Sequence, residues 1–217
     1  MYVAQIPLAL KLRKKAHRDI AAAQDIIVKE LYGVFDRAVL HGGTAIWRCY
    51  GSSRFSEDVD FYFQRDEKKL GTLFRKLEEK GFVINKRRVR EKSLFSVLEF
   101  NGAIVRFEAV FKVPLPKGIL AYYETSDGNL MAIYTLSPEE LVREKVAAYL
   151  GRRKVRDLYD IFSLLRHVKD TGVVSGHLRR LVEGFKDPVD GAELAVLIIE
   201  GIVPEAGDML SYIRRKA

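Results

Sequence analysis

The segment GGTAIWRCYGSSRFSEDVDFYF, residues 42–63, decides the fold. It runs from a glycine pair through a polar stretch into VDFYF, whose β-branched and aromatic residues predict a strand over residues 59–63. Asp58 and Asp60 begin that strand, and because side chains alternate along a strand they project from the same side. Like charges so close together repel each other, so a positive charge is expected beside them.

A bound divalent cation is one source of that charge. Mg²⁺ prefers carboxylate and phosphate oxygens, and a pair of such ions serves phosphoryl and nucleotidyl transfer. The alternative is an exposed strand start at which the two acids pair with Arg48 or Arg54. We interpret Asp58 and Asp60 as metal ligands.

Glu108 is a candidate third carboxylate. It lies in the middle of AIVRFEAVFKV, residues 103–113, which otherwise has the composition of a core strand. A carboxylate there requires a partner. The partner is either the same metal or Arg106, which is two residues away on the same face of the predicted strand.

Gly42, Gly43 and Thr44 join a short strand predicted within residues 35–43 to a short helix, with Thr44 as its N-cap. Glycines allow a close approach of the backbone to a phosphate, and the amides at a helix N-terminus attract anions. The Thr44 hydroxyl offers one more contact to a phosphate oxygen. An ordinary turn is the alternative interpretation of the glycine pair.

The remaining pattern predicts an α+β protein in which a mixed sheet flanked by helices, residues 1–135, precedes a helical domain, residues 136–217. Asn101-Gly102 predicts a hairpin turn between two strands. Ser137, Pro138 and Glu140 predict the capped start of a helix that ends at Gly151. The other predicted helices cover residues 7–31, 67–80, 155–168, 175–184 and 190–202, and the other predicted strands cover residues 82–91 and 94–100. Residues 119–135 are left open, with one or two further strands as the expectation.

The chain has 217 residues, with 37 basic and 29 acidic side chains and a formal net charge of +8. This balance favours a polyanionic partner such as nucleic acid, or else reflects a soluble surface rich in Lys and Arg. The single cysteine excludes an intrachain disulfide. The absence of a secretory signal or a membrane-spanning stretch leads us to expect a cytoplasmic protein without a membrane partner.

Basic residues also cluster outside the acidic segment, in three groups: Lys86-Arg87-Arg88-Arg90, Arg179-Arg180 and Arg214-Arg215-Lys216. On a strand, Lys86, Arg88 and Arg90 share one face, which suits an RNA backbone. A charged edge strand that resists aggregation is the equal alternative.

Two blocks of the sequence resemble the AbiEii/AbiGii-type nucleotidyltransferases, a branch of the DNA polymerase β-like superfamily. The first block has the residues Gly42, Gly43, Thr44, Ala45, Ile46, Arg54, Ser56, Asp58, Val59, Asp60 and Phe61. The second has Lys145, Ala148, Arg152, Lys154, Arg156, Asp157, Leu158 and Asp160. Together they bracket residues 42–160. The superfamily commonly has Gly-Ser at the turn and Asp as the third acid, where this chain has Gly42-Gly43 and Glu108.

The resemblance implies a polymerase β-like core with a C-terminal helical domain, and transfer of an NMP from an NTP with release of pyrophosphate. It implies that Asp58 and Asp60 hold Mg²⁺ or Mn²⁺, with Glu108 as the candidate for the third metal-binding acid. It also implies that Lys145 faces the triphosphate and that Asp157 is a further active-site residue. We add a nucleotide-binding set on the same basis: Gly42, Gly43, Thr44, Arg54, Ser56, Lys145, Arg152 and Arg156.

Each residue of the second block also has an ordinary structural interpretation. Lys145 would then be a solvated residue paired with an acid, GRRKVRD (residues 151–157) a basic loop between helices, and Asp157 a helix-capping carboxylate. We predict a metal-dependent nucleotidyltransferase acting on an RNA hydroxyl, for which the tRNA 3′ end is the leading candidate, in a toxin that has a cognate antitoxin. The alternatives are a catalytically silent RNA- or protein-binding module and a small-molecule nucleotidyltransferase.

Overall fold

A computed structural model describes residues 7–217 as two compact units. The first combines the chain up to Cys49 with Ser56–Leu136, and the second combines Tyr50–Phe55 with Ser137–Ala217. The domains 1–135 and 136–217 remain a prediction, and residues 1–6 lie outside the described range. No helix among the described residues has both the length and the apolar character of a membrane span.

The first unit is built on a seven-stranded mixed sheet in the order β3-β4-β5-β2-β1-β7-β6. Its strands are β1 Val39–His41, β2 Val59–Phe63, β3 Val83–Val89, β4 Ser93–Phe100, β5 Ala103–Phe111, β6 Ile119–Glu124 and β7 Leu130–Thr135. Its helices are α1 Leu8–Lys11, α2 Lys15–Tyr32, α3 Gly42–Tyr50 and α4 Glu67–Glu79. The β2–β5 and β1–β7 pairs are parallel and the other pairs are antiparallel.

One face of the sheet carries the hydrophobic core. Ile27 and Leu31 of α2 and Leu73 of α4 are fully buried against residues of the central strands such as Phe61 and Phe107. The opposite face of β5 is different, because Ile104, Arg106 and Val110 are exposed. The apolar stripes of α2 and α4 thus bury one side of the sheet, and the alternation of each strand sends its polar residues to the other side.

Local signals account for most of these elements. Asn101 and Gly102 both have positive φ, 50° and 79°, as the predicted hairpin turn requires. The Asp66 side chain accepts the Lys69 amide and caps α4. Residues 119–135 form the β6–β7 hairpin. The predicted α+β class with a mixed sheet is confirmed.

Two predictions in the first unit were wrong. The predicted helix over residues 7–31 is interrupted after Lys11, since Leu12 has extended backbone and α2 begins at Lys15. Thr44 is not an N-cap, because α3 already begins at Gly42. The N-cap prediction failed because Gly42 and Gly43 are the first residues of the helix and do not form a turn before it.

The second unit contains α5 Pro138–Arg152, α6 Val155–Leu164, α7 Gly172–Glu183, a 3-10 turn Gly191–Glu193, α8 Leu194–Leu197 and α9 Ala206–Arg214. The predicted cap is present, as Ser137 accepts the Glu140 amide. The predicted end at Gly151 was wrong, because α5 continues to Arg152 and Arg153 adopts the left-handed conformation.

The predicted helix over residues 190–202 was right only as far as Leu197. The chain becomes extended at Ile198, which forms a β-bridge with Arg54. The Phe55 amide donates to the Leu197 carbonyl and the Ile199 amide to the Ser53 carbonyl, at 2.8 and 2.9 Å. Backbone pairing with a distant segment has overridden the apolar run that suggested a helix.

Candidate active site

The register of β2 and β5 brings the predicted carboxylates of the first unit to one face of the sheet. The two strands are parallel, and Asp60 lies directly opposite Glu108. Val59 lies opposite Phe107, so the residues that precede them in the chain, Asp58 and Arg106, are also neighbours. Directly opposite residues project from the same face. We call Asp58, Asp60 and Glu108 the carboxylate cluster.

Asp58 has an arginine partner that neither sequence interpretation supplied. Arg106 donates from Nε to Oδ1 and from Nη2 to Oδ2 of Asp58, at 2.7 and 2.8 Å. The expected alternatives Arg48 and Arg54 were wrong, since Arg48 pairs with Asp25 and Arg54 with Asp160. A bidentate guanidinium matches a carboxylate in charge and geometry.

Glu108 is consequently not the partner of Arg106. Among residues 7–217, no hydrogen bond or ion pair to its carboxylate is found. Partial burial raises the pKa of Glu108, and the negative charges of Asp60 and Asp58 raise it further. The positive charge of Arg106 lowers this pKa, but its effect is the smallest of the four. Negative charge at this position is therefore only partly compensated by the protein.

The glycine pair lies against this cluster. Gly42 begins α3 with φ of +73°, and a Cβ built on it would overlap a carboxylate oxygen of Asp60 and lie 3.1 Å from its Cγ. The Thr44 hydroxyl donates to the main-chain carbonyl of Asp58, which ties the start of α3 to the start of β2. Only glycine at position 42 leaves the observed room for Asp60.

On the role that the family resemblance implies for Asp60, replacing Gly42 with alanine is expected to lower nucleotidyl transfer about a hundredfold, because Asp60 must move and a shift of about 1 Å at a reacting group can cost that much. Gly102→Ala is the matched control. Gly102 also has positive φ, +79°, but a Cβ there meets no atom within 4 Å. Both variants should lose about 1–2 kcal/mol of stability from the left-handed backbone. Thermal unfolding and turnover of both variants would be measured, and equal turnover would contradict the prediction.

The donor chemistry of the cluster fits a hard divalent cation. Asp60 and Glu108 offer carboxylate oxygens from adjacent strands, and the raised pKa of Glu108 reports charge that a cation would relieve. Asp58 is paired with Arg106 and would bind the cation only after giving up this ion pair. Within residues 7–217, no group of three or more His, Cys, Asp or Glu side chains is arranged to hold a metal ion. A site shared by all three carboxylates therefore stays a prediction.

A second group of charges lies in the second unit. Asp160 of α6 is fully buried and accepts Nε and Nη2 of Arg54 at 2.7 and 2.9 Å. The Lys145 ammonium of α5 lies 2.7 Å from Oδ2 of the same carboxylate. Burial alone would raise the pKa of Asp160, but Arg54 and Lys145 together lower it. Asp160 is thus held ionised inside the unit.

Asp157 completes this group. It is fully buried, accepts two hydrogen bonds from Arg152 at 2.7 and 2.8 Å, and lies 3.5 Å from Lys145. Asp157 lies in the first turn of α6, as the capping interpretation expected, but the Val155 amide at the start of the helix donates to Asp190. Lys145 is paired with acids, as the ordinary interpretation expected, but it is buried and not solvated. We call this group the buried ion network: the buried Arg54, Lys145, Asp157 and Asp160, together with the exposed Arg152 that binds Asp157.

The two remaining predicted residues lie outside both groups of side chains. Ser56 is buried before β2, where its carbonyl accepts the amide nitrogen of Gln24 at 2.8 Å. Arg156 lies half-buried in the first turn of α6. Their predicted nucleotide-binding roles stay predictions.

Sequence reasoning missed three residues. The sequence pattern places Arg106 only beside Glu108, and it leaves Asp160 in the second block without a role. His41 lies opposite Asp60 in the β1–β2 register and stacks on Tyr62, with ring centroids 3.8 Å apart. The i, i+3 spacing of Asp157 and Asp160 was the available signal for Asp160. No local signal marked the other two, because their roles depend on strand pairing.

The mixed sheet places opposed carboxylates beside a helix that begins with a glycine pair, and comparison with known families identifies the class of protein as a nucleotidyltransferase. The sequence matches the model of the family described as nucleotidyl transferase AbiEii toxin, type IV TA system, over residues 27–197. The chain belongs to this family and is a nucleotidyltransferase, as the resemblance predicted. A search of curated proteins returned no match.

Solved structures share the fold. The crystal structure of JHP933 from Helicobacter pylori is 20% identical over 94% of this chain and 92% of its own, with a TM-score of 0.66. MenT4, a nucleotidyltransferase toxin from Mycobacterium tuberculosis, is 19% identical over 96% of this chain and 85% of its own, with a TM-score of 0.61. At this level of identity the likeness is one of fold.

Proposed function

We propose that this chain transfers an NMP from an NTP to a hydroxyl of an RNA acceptor, with Mg²⁺ or Mn²⁺ at the carboxylate cluster. The observation that carries the proposal is the direct opposition of Asp60 and Glu108 on parallel strands. The carboxylates would hold the metal, which when bound neutralises charge on the triphosphate and on the attacking oxygen.

The chemical step has a simple balance. The acceptor oxygen forms a bond to the α-phosphorus, the bond from that phosphorus to the oxygen bridging the β-phosphate breaks, and pyrophosphate leaves with the bonding electrons. In the proposal the acceptor proton passes to Glu108, which accepts it on the carboxylate oxygen that would not hold the metal.

The start of α3 is the proposed phosphate site of the first unit. Gly42 and Gly43 are its first residues, and free amides at a helix N-terminus attract phosphate. Because the Thr44 hydroxyl already donates to the Asp58 carbonyl, we propose that Thr44 serves the nucleotide through its backbone N–H.

For the buried ion network we propose that it fixes the position of Lys145. Its ammonium lies 2.7 Å from Asp160 and 3.5 Å from Asp157, and both acids are held in turn by arginines. Lys145, with Arg152 and Arg156, remains our candidate for neutralising phosphate charge, and Asp157 is then a positioning residue.

The acceptor is proposed to be RNA because of the net charge of +8, and family membership supports a cognate antitoxin as partner.

The test supplies each of the four NTPs, labelled on the α-phosphate, with Mg²⁺ to wild-type protein. The acceptors are total tRNA, total cellular protein, an aminoglycoside and buffer alone. Label in tRNA that requires Mg²⁺ supports the proposal and identifies the base. Label only in protein or in the small molecule rejects the RNA acceptor, and no label with a folded chain rejects transfer to these acceptors.

Arg106→Met is expected to tighten Mn²⁺ binding to the nucleotide-free protein about three- to tenfold, because Asp58 no longer has to release a charged hydrogen-bonded partner. Arg65→Met is the matched control, since Arg65 pairs with Glu67 beyond the far end of β2. Titration followed by electron paramagnetic resonance measures the affinity directly. Unchanged or weaker Mn²⁺ binding by the Arg106 variant would contradict the exchange.

A further inference from the structure

The sheet register connects the carboxylate cluster to the basic edge strand. Arg88 lies opposite Phe95, Phe95 opposite Glu108, and Glu108 opposite Asp60, so one row crosses β3, β4, β5 and β2. All four side chains project from the same face. Since neighbouring strands are about 4.8 Å apart, Arg88 and Asp60 are separated by roughly 14 Å of backbone. We call this surface the open face.

A β-bulge in β3 directs the side chains of Lys86 and Arg88 to the open face. The register of β3 shifts between Ile84 and Lys86, which leaves Asn85 as the extra residue. Ile84 and Val89 both pack against the core although five positions separate them, an odd number that regular alternation would forbid. The bulge thereby sends Lys86 and Arg88 to the open face and Arg87 to the helix face, where it lies 4.1 Å from the Phe74 ring.

The cations have no acidic partner. Lys86, Arg88 and Arg90 are exposed, and within residues 7–217 none of their side chains forms an ion pair or hydrogen bond. The Lys86 ammonium lies 5.3 Å from the centroid of the half-exposed Phe95 ring. With Ser93 these residues line a groove of about 260 Å³.

This combination has the chemistry of a single-stranded nucleic acid site. Such sites pair cations that follow the backbone phosphates with an aromatic ring on which a base stacks. A charged edge that only prevents aggregation needs the cations. It does not need an aromatic ring in the same groove, nor a row that leads from the groove to the carboxylates.

We propose that the open face binds the single-stranded 3′ segment of the RNA acceptor. Lys86, Arg88 and Arg90 contact its phosphates, Phe95 stacks on one base, and the terminal hydroxyl reaches Glu108 and Asp60. This assignment rests on the proposed function, since it places the acceptor of the same reaction. It assigns β3 a role in choosing single-stranded acceptors.

The first test removes the three cations together. Lys86→Gln/Arg88→Gln/Arg90→Gln is compared with Lys29→Gln/Lys68→Gln/Arg75→Gln, which removes the same charge from exposed positions of α2 and α4. Binding of a fluorescent single-stranded copy of a tRNA 3′ end is titrated at several salt concentrations. The open-face variant should bind at least tenfold more weakly, and the slope of log K against log salt should shrink by about 2, since each phosphate that the protein neutralises on a single strand contributes about 0.7.

The control variant should retain a wild-type slope and an affinity within threefold of wild type, and both variants should bind NTP normally. An open-face variant that binds RNA with wild-type affinity and slope would overturn the proposal. Equal losses of affinity in both variants would overturn it too, because they would show that only net charge matters.

The second test separates stacking from charge. Phe95→Ala should weaken RNA binding roughly tenfold with an unchanged salt slope, whereas Phe95→Trp should retain affinity. Wild-type affinity in Phe95→Ala would exclude the stacking contact. Failure of the proposed function is distinguishable: wild type would then label no RNA, although binding would still report on the open face. If wild type labels RNA but the open-face variant binds RNA as tightly as wild type, the acceptor site is rejected and the proposed function is retained.

Discussion

Asp60→Asn is expected to reduce nucleotidyl transfer at least a thousandfold while leaving the fold intact. Asparagine keeps the shape of aspartate, so it retains the close fit against Gly42, but it removes the negative charge opposite Glu108. On the proposed metal-binding role of Asp60, the loss of its charge removes several kcal/mol of transition-state stabilisation, and each 1.4 kcal/mol is about tenfold in rate.

Glu57→Gln is the matched control, because Glu57 is exposed, lies three residues before Asp60 and precedes the strand. Turnover with labelled NTP gives the rate, Mn²⁺ titration gives the binding stoichiometry, and circular dichroism checks the fold. The Asp60 variant should bind fewer Mn²⁺ ions than the control. Turnover within tenfold of wild type, in a protein of unchanged fold, would show that Asp60 does not hold an essential metal.

Asp160→Asn is expected to lower the free energy of unfolding of the second unit by about 3–5 kcal/mol. Breaking one side of a buried ion pair leaves the other charge uncompensated, and that charge is what costs the stability. Here the substitution leaves Arg54 without its bidentate acceptor and Lys145 with only Asp157 at 3.5 Å. Asp208→Asn, at an exposed position of α9, is the control and should change stability by less than about 1 kcal/mol.

The effect has a predictable pH dependence. Arg54 and Lys145 lower the pKa of Asp160 below its ordinary value of 3.8 despite burial. The contribution of ionised Asp160 to the free energy of unfolding is therefore fully present above about pH 4. It is lost as the pH falls below that value and passes through the lowered pKa that Asp160 has in the folded protein. Urea unfolding of wild type and variant should differ most near neutral pH and converge under acid conditions. A constant difference over this range, or none, would contradict an ionised Asp160.

Much of the fold was readable because its signals are local. The Asn101-Gly102 turn, the apolar stripe of α4 and the Ser137 cap each depend on a few neighbouring residues. The predicted helix over residues 190–202 failed for the opposite reason, since Ile198 pairs with a segment far away in the chain. Of the candidate site, the acid pair and the glycine pair could be named from sequence, but the first residue of α3 and the partners of the acids could not.

The sequence by itself determined the family, the acids at positions 58 and 60 at the start of β2, and the glycine pair that leads into α3, because spacing and side-chain chemistry are properties of short segments. Only the tertiary structure decided that Arg106 binds Asp58, that Glu108 opposes Asp60, and that a bulge turns the β3 cations toward them. Strand register controls all three. A shift of one residue would send each side chain to the other face, and register is set by packing between elements that no short segment contains.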